Sequence, residues 1–479
     1  MSTIRKMNKS NSDAPWLALT LDRQLAQPLQ AQLCGAIRRL VQEGRLVSGD
    51  RLPASRALAA ELSISRLTVV TAYDQLVGEG YVIGRRGAGM FVAPDLAGLP
   101  RPPARRDGGP PPPTPAPFRP FDTGAADLAG FPHRLWARLL EQAWRDPEPG
   151  LLAPPDPLGW SPLRVAIAQH LSDWRGIACA PAQVIVTSGL GESVALVAAA
   201  LLSPGQSVAV EEPGHGPLRR ALAAAGLGVV SQRVDAEGLD PEALGSETRA
   251  VVVTPSRHFP LGMTLPLARR LGLLAWAADT GSWVIEDDYD GEYRFRGQPL
   301  PAMMSLDEAG RVLYAGSFTK VMFPGLRLGF LVVPPALEAS MRQAMQKRGA
   351  QAGIVAQPAL ARFIAEGHFA THLRRMRRLY AGRQRVLLAA LAESCAGLLE
   401  AEEAPSGMHL VARFAPEFAA RMDDVAASGR CVAAGVRARP LSGFFAGEPT
   451  AQGLVLGFAG FGEAEIQRAA AAMGAALRA

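Results

Sequence analysis

A proline-rich stretch is the feature that most constrains how this chain can fold. Residues 100–120 hold ten prolines, among them the unbroken run 110–113. Proline lacks a backbone N–H and has a fixed φ, so such a run favours extended polyproline II over a helix or a central strand. We interpret residues 94–120 as a semi-rigid linker, and a proline-rich recognition peptide is the alternative. The 479-residue chain is therefore predicted to divide into a small module, residues 15–93, and a large one, residues 121–479.

Charge is distributed unevenly between these parts. The whole chain has a formal net charge of +6. Residues 1–93 hold 12 Lys and Arg against 7 Asp and Glu, whereas the chain beyond residue 120 is nearly neutral. A small basic module beside a neutral one fits a polyanion-binding head on a separate body, and a merely solvated basic surface is the alternative.

Other features of the composition exclude several classes of protein. The four cysteines show no C-x-x-C spacing, so the sequence suggests neither a zinc site nor a disulfide framework. No apolar run reaches the roughly 20 residues of a membrane span, and the polar N-terminus lacks the apolar core of a signal peptide. We therefore expect a cytoplasmic protein without a metal site or a membrane partner.

The small module has the pattern of three helices followed by a hairpin. Apolar residues at helical spacing, with Ser65 as a good N-cap, indicate the helices, and a glycine-rich turn at residues 84–89 carries two arginines. The predicted helices span about residues 28–44, 55–62 and 66–79, and the predicted strands lie at residues 81–83 and 90–92.

The third predicted helix corresponds to the recognition helix of a helix–turn–helix, whose N-terminal residues face base edges in the major groove. Arg66 could bond a guanine bidentately or hold a phosphate, and the other arginines suit backbone or minor-groove contacts. A three-helix interaction domain with solvated arginines is the alternative. The candidate DNA-binding residues are Arg56, Ser65, Arg66, Thr68, Thr71, Arg85 and Arg86.

In the large module, short β-type runs alternate with longer Ala- and Leu-rich helical patterns, which predicts an α/β fold with a mostly parallel sheet covered by helices. A helix-rich region from about residue 361 indicates a smaller α+β part after a large part at about residues 160–360. The predicted core strands are residues 184–186, 208–210, 250–253, 283–285, 312–314 and 330–333.

Three motifs in this module carry chemistry. Lys320 closes a Ser-Phe-Thr-Lys motif between apolar segments, a setting that favours the neutral amine required for a Schiff base. Arg327 follows seven residues later and could hold a phosphate with Ser317. Residues 283–289 form a strand that ends in acids, and residues 187–191 form a glycine turn before a helix. A solvated lysine and a helix-capping acid cluster are the alternatives.

These motifs carry a resemblance to known families. Residues 49–59, 65–80 and 87–92 resemble the winged helix–turn–helix of GntR regulators. The Thr-Pro-Ser, Glu-Asp-Asp-Tyr and Ser-Phe-Thr-Lys motifs, in this order, resemble those of the fold-type I aminotransferases, which depend on pyridoxal 5'-phosphate (PLP). Joined through a proline-rich linker, the two parts resemble the MocR subfamily of GntR regulators, which includes the GabR-type activators.

The resemblance implies a role for each motif residue. Lys320 would be the catalytic residue and form the internal aldimine, Asp287 would pair with the pyridine nitrogen, and Tyr289 would bond the phenolic oxygen. Ser188, Gly189, Ser317 and Arg327 would surround the phosphate of the cofactor, and His215 would stack on its ring. Leu190 is a further predicted cofactor-binding residue.

Five positions depart from the family pattern. His215 replaces a tyrosine, and Pro154 stands where a tyrosine usually contacts the phosphate across a dimer. Residues 257–258 are Arg-His where the family has His-Gln, and Val455 stands where related aminotransferases carry the arginine that binds the substrate carboxylate. Arg437, Arg439 or Arg257 could substitute for that arginine.

The resemblance therefore implies a PLP-dependent regulator that binds operator DNA as a head-to-tail homodimer and senses PLP, a small amine or an amino acid through aldimine chemistry. An active aminotransferase with an appended DNA-binding domain is the first alternative, and the missing arginine at Val455 argues against efficient turnover. A DNA-binding protein whose body only dimerises is the second, and retention of Lys320, Asp287, Tyr289 and Arg327 argues against it.

Overall fold

A computed structural model describes residues 19–94, 96, 117–297, 301–350 and 352–479. The chain divides into two compact units, residues 1–115 and residues 116–479, which are called the head and the body below. Most of the predicted linker, including the proline run 110–113, lies outside the described residues.

The head contains the predicted three helices and hairpin. Its strands reach further into the glycine-rich segment than expected, because Arg85 pairs with Gly89 and leaves a turn of only three residues. The helices are α1 (Leu29–Gln42), α2 (Ser55–Glu61) and α3 (Arg66–Gly78), and the strands are β1 (Val82–Arg85) and β2 (Gly89–Val92).

Helix α3 begins and packs as its sequence predicts. The Ser65 side chain caps the helix by accepting a hydrogen bond from the Thr68 backbone N–H at 3.0 Å. Its predicted apolar face is buried in the head core, which includes Val69, Ala72, Tyr73 and Leu76. Burial of this face fixes the opposite face of α3 as the exposed one.

The body is built around an eight-stranded mixed sheet of order β3-β10-β9-β8-β7-β4-β5-β6. The consecutive pairs from β9 to β5 are parallel, as predicted, but β10 lies antiparallel between β9 and β3, and β6 is antiparallel to β5. The strands are β3 (Val184–Thr187), β4 (Ser207–Glu212), β5 (Gly228–Asp235), β6 (Gly238–Leu239), β7 (Thr248–Val253), β8 (Trp283–Asp288), β9 (Val312–Ser317) and β10 (Gly329–Val332).

Helices surround this sheet. They are α4 (His133–Arg145), α5 (Pro149–Leu152), α6 (Ser161–Arg175), α7 (Leu190–Leu201), α8 (Gly216–Ala224), α9 (Leu267–Thr280), α10 (Phe318–Val321), α11 (Glu338–Arg348) and α12 (Gln357–Ala365). Among the residues with assigned structure, no helix is both long and apolar enough to cross a membrane.

A smaller C-terminal part carries an antiparallel sheet of order β11-β12-β14-β13. The first residues of the body join this part, because the chain at Phe121 forms a bridge with Gly457 at the end of β14. Its strands are β11 (Leu399–Ala401), β12 (His409–Phe414), β13 (Arg439–Pro440) and β14 (Gly453–Gly457), and its helices are α13 (His368–Ser394), α14 (Pro416–Ala419), α15 (Asp424–Ala433) and α16 (Glu463–Arg478).

Candidate functional site

A cavity of about 680 Å³ opens where β8 and β9 end, between the large sheet and the C-terminal part. Ligands of open α/β folds bind outside the carboxyl ends of such strands. Among the residues around the cavity are six of the predicted cofactor-binding residues: Leu190, His215, Asp287, Tyr289, Ser317 and Lys320.

Lys320 lies in the short helix α10 directly after β9. The end of its side chain lies against Gly124, which forms the floor of the cavity. A Cβ atom at position 124 would stand 2.1 Å from Lys320 Nζ, so a side chain at this position would displace the amine. Burial lowers the pKa of Lys320, the charge of Asp290 opposes this, and Arg439 adds to it. These effects favour the neutral amine, which is the nucleophilic form.

The Asp287 carboxylate lines the cavity and has no hydrogen-bond or ion-pair partner among the described residues. The residue is buried. Burial, followed by the neighbouring Asp288 and Glu211 carboxylates, raises the pKa of Asp287 to about 8. A cationic ligand group would fit here, because it would stabilise the ionised carboxylate that burial disfavours.

Tyr289 and His215 are connected by the ring of Phe259. Phe259 contacts the His215 ring edge to face at 5.8 Å and the Tyr289 ring at 5.7 Å between centroids. The surrounding protein and then the charge of Lys320 lower the pKa of His215, so this imidazole is neutral at pH 7. The cavity therefore has an aromatic wall on this side, and Phe259 is a member that the sequence analysis missed.

The predicted phosphate-binding residues are divided between two cavities. Ser317 lines the main cavity, while Ser188 and Arg327 line a second depression of about 440 Å³. Gly189 lies between Ser188 and Leu190 and opens helix α7 with a φ of +125°. The Ser317 hydroxyl caps α10 by accepting the Thr319 N–H, which leaves its own proton for another acceptor.

The structure separates the three arginines considered as substitutes at position 455. Arg437 pairs with Asp122 at 3.3 Å, and Arg257 is fully buried. Arg439 lines the cavity from strand β13, directly opposite Val455 of β14. Arg220 of α8 also lines the cavity, and in the described chain neither Arg439 nor Arg220 forms an ion pair.

In the head, the seven candidate DNA-binding residues lie in two groups. The three hydroxyl residues are engaged within α3: Ser65 bonds Thr68, and Thr71 Oγ1 donates to the Leu67 carbonyl at 2.8 Å. Of the exposed arginines, Arg56 lies on α2, Arg66 begins α3, and Arg85 and Arg86 follow one another at the hairpin turn. The Arg85 guanidinium lies over the Phe91 ring at 4.8 Å.

Leu67 is a further exposed residue on this surface. Its side chain is 73% exposed on the first turn of α3, beside Arg66, although the core of the head is formed by the other face of the helix. Leu67 is absent from the predicted DNA-binding residues. Its position outside the Val69-Ala72-Tyr73-Leu76 stripe was the available signal.

Comparisons with known proteins identify a matching family model in each of the two units. The family model for bacterial regulatory proteins of the gntR family matches residues 29–92, and that for aminotransferase class I and II matches residues 148–473. The α-aminoadipate aminotransferase LysN of Thermus thermophilus, solved with N-(5'-phosphopyridoxyl)-L-leucine, is similar with a TM-score of 0.67 and 26% identity. That likeness covers 75% of this chain and 91% of the LysN chain.

Two curated relatives match the head and the body together. The "Probable rhizopine catabolism regulatory protein MocR" of Rhizobium meliloti is 40% identical over 92% of both chains. The pyridoxine biosynthesis transcriptional regulator PdxR of Corynebacterium glutamicum is 36% identical over 78% of this chain and 80% of PdxR. The chain therefore belongs to the MocR subfamily of GntR-type transcription regulators, in which a winged helix–turn–helix is joined to an aminotransferase-like body.

Proposed function

We propose that this regulator binds PLP in its body and changes the DNA affinity of its head when an amine occupies the same cavity. The observation that carries the proposal is that a half-buried lysine amine and a buried, unpartnered Asp287 carboxylate line the same cavity. PLP offers both an aldehyde for the amine and a pyridine nitrogen for the carboxylate. When bound, it supplies a carbonyl that condenses reversibly with primary amines.

Different residues of this chain would bind different parts of PLP. Lys320 provides the attacking amine, Asp287 retains a proton on the ring nitrogen, and Tyr289 donates to the phenolic oxygen. Ser188, Gly189, Leu190, Ser317 and Arg327 hold the phosphate, with the N-terminus of α7 adding backbone donors. His215 and Phe259 shield the ring from water as neutral aromatic groups.

We further propose that the effector is an amine that also carries an anionic group. Arg439 and Arg220 place two unpaired guanidinium groups on the cavity, where a carboxylate or sulfonate would accept charge-assisted hydrogen bonds. Arg439 would thereby take the role of the arginine missing at Val455, from the neighbouring strand.

The head is proposed to bind operator DNA as part of a cytoplasmic homodimer with head-to-tail subunits. Arg66 would read a guanine, Leu67 would contact a thymine methyl group, and Arg56, Arg85 and Arg86 would hold phosphates. Ser65, Thr68 and Thr71 would shape the helix start and contact the backbone. With Pro154 in place of the usual tyrosine, the partner would contribute no hydroxyl at that position to the phosphate.

The proposal is tested by adding PLP to the purified protein, reducing the product with borohydride and mapping the modified peptide. The body contains two lysines, Lys320 and the exposed Lys347, so the mass label distinguishes them directly. We expect the label on Lys320 and a change in operator affinity with PLP and amine. A PLP-loaded protein that steadily transaminates amino acids would favour the enzyme alternative.

A further inference from the structure

Arg257 is a buried cation that the proposed function leaves without a role. It is 2% exposed, and it lies in the loop between β7 and α9, at a position where the family pattern has histidine. Its guanidinium passes Gly407, where a Cβ atom would stand 2.2 Å from Nε. A glycine with a φ of +99°, two residues before β12, therefore leaves space for this arginine.

The guanidinium joins three elements around the cavity. Nη1 donates to the Tyr289 hydroxyl at 3.1 Å and lies 3.4 Å from Asp290 Oδ2, both after β8. Nη2 donates to the His409 carbonyl in β12 at 2.5 Å. Nη1 also lies 3.1 Å from the His409 ring, so Arg257 connects the C-terminal part with a cavity-lining tyrosine.

The bond to Tyr289 determines what that hydroxyl can do. An arginine has only donors, so Tyr289 must act as the acceptor in this pair. Its own proton has no acceptor among the described residues, while its side chain lines the cavity. The hydroxyl proton is therefore free to be donated into the cavity.

We propose that Arg257 is a positioning residue that fixes Tyr289 as a donor toward the cavity and thereby favours loss of the proton from the Lys320 nitrogen once PLP is bound. The inference rests on the proposed binding of PLP. A donated proton and a nearby fixed cation both stabilise negative charge on the phenolic oxygen, and that charge is greatest when the neighbouring nitrogen is unprotonated.

Other charges face the same atoms and set the background. Asp287 and Asp290 follow from β8, His215 from α8, His409 from β12 and Arg439 from β13. The surrounding protein lowers the pKa of both histidines below its usual range, so neither imidazole gains charge in neutral solution. Burial raises the pKa of Asp287 to about 8 and that of Asp290 to about 6, so these carboxyl groups change charge in the same pH range as the Lys320 nitrogen. The titration is therefore followed by the visible absorbance of bound PLP, which changes with protonation of the Lys320 nitrogen.

The test is a pH titration of the visible absorbance of the PLP-loaded protein. Arg257→Gln should raise the midpoint by about one pH unit, since a buried cation is lost. Arg257→Lys, which keeps the charge but not the two-pronged donation, should give a smaller rise. Arg270→Gln is the matched control: Arg270 is equally buried, but it donates to the backbone carbonyls of residues 255, 265 and 301, and its removal should leave the midpoint unchanged.

A double substitution separates positioning from a direct charge effect. In Tyr289→Phe protein the midpoint should already be raised, and adding Arg257→Gln should raise it by less than half as much as in the parent. An equal rise with and without the tyrosine hydroxyl, or a normal midpoint in Arg257→Gln protein that still shows the band, overturns the inference. Absence of the band in the parent protein refutes PLP binding itself, which is a distinguishable result.

Discussion

The head and the body place their functional groups in opposite environments. In the head, Arg56, Arg66 and Arg86 are exposed, and none of them forms an ion pair within the residues that the structure describes. In the body, Lys320 and Asp287 line the cavity. Removal from water raises the pKa of Asp287 and lowers that of Lys320, and both shifts favour the neutral form of the group. The difference reflects the partners: a polyanion is attracted by fixed, solvated charge, whereas Schiff-base chemistry requires a cation that gives up its proton.

The largest expected effect on this comparison comes from removal of the Lys320 amine from the cavity. Lys320→Ala should abolish the visible absorbance band that PLP gives with the protein, because no other amine lines the cavity among the described residues. DNA binding in the absence of PLP should persist. Lys347→Ala, which removes the exposed lysine of α11, is the control and should keep the full band.

Removal of an exposed charge from the head should have a large but graded effect. Arg66→Ala should weaken binding to a duplex selected from random sequence by about 10- to 100-fold, because a bidentate base contact contributes about 1–3 kcal/mol. Binding to unselected DNA should change much less. Arg45→Ala, at an exposed arginine near Glu43, is the control, and an equal loss on both kinds of DNA would reassign Arg66 to a phosphate.

The cavity arginines test whether the body also uses fixed charge. With PLP bound, wild-type protein should respond to β-alanine at lower concentration than to ethylamine, since only the former has a carboxylate. Arg439→Ala should weaken the β-alanine response by about tenfold, as expected for loss of a charge-assisted hydrogen bond. Arg437→Ala, two residues away and paired with Asp122, should not, and similar losses in both variants would contradict the assignment.

A smaller effect is expected from the exposed leucine on α3. Leu67→Ala should weaken binding to the selected duplex by about fivefold, roughly the value of one apolar contact in the groove. Replacing the contacted thymine by uracil should produce the same loss in wild-type protein and none in the variant. Val77→Ala, near the other end of α3, is the matched control.

The smallest expected effect concerns stability and pH. Because burial raises the pKa of Asp287 to about 8, the folded PLP-free protein binds a proton that the unfolded chain loses near pH 4. Stability contributed by this group therefore falls as pH rises from about 4 to 8. In PLP-free protein at pH 8.5, Asp287→Asn should raise Tm by about 2 °C, and the order should reverse with PLP. A Tm difference independent of PLP would argue against Asp287 as the ring-nitrogen partner.

Much of the fold follows from local patterns in the sequence. The three helices and hairpin of the head, and the buried strands of the body, are marked by apolar periodicity and by caps such as Ser65. Strands β5 and β6 were missed because β5 alternates half-buried and exposed residues at the sheet margin, where the hydrophobic signal is weak. The antiparallel direction of β10 could not be read from its composition, since buried strands are apolar in either direction.

The site was predictable only where its residues share a motif. Lys320, Asp287 and Tyr289 each follow a recognisable strand, whereas Gly124, Arg220 and His409 are brought to the cavity by tertiary packing. The choice of Arg439 among three arginines depends on strand register, because Arg439 lies opposite Val455 and its neighbour Arg437 pairs with Asp122. Arg439 could therefore be assigned to the cavity only once the pairing of the strands was known.

The glycine beneath the lysine has a practical consequence for truncation. Gly124 lies three residues after the bridge that Phe121 makes to the end of β14, so the floor of the cavity is supplied by the first residues of the body. An expression fragment that begins at helix α5, a natural choice from the family match at residue 148, would omit this floor. Any isolated body intended for spectroscopy or crystallisation should therefore start ahead of residue 117.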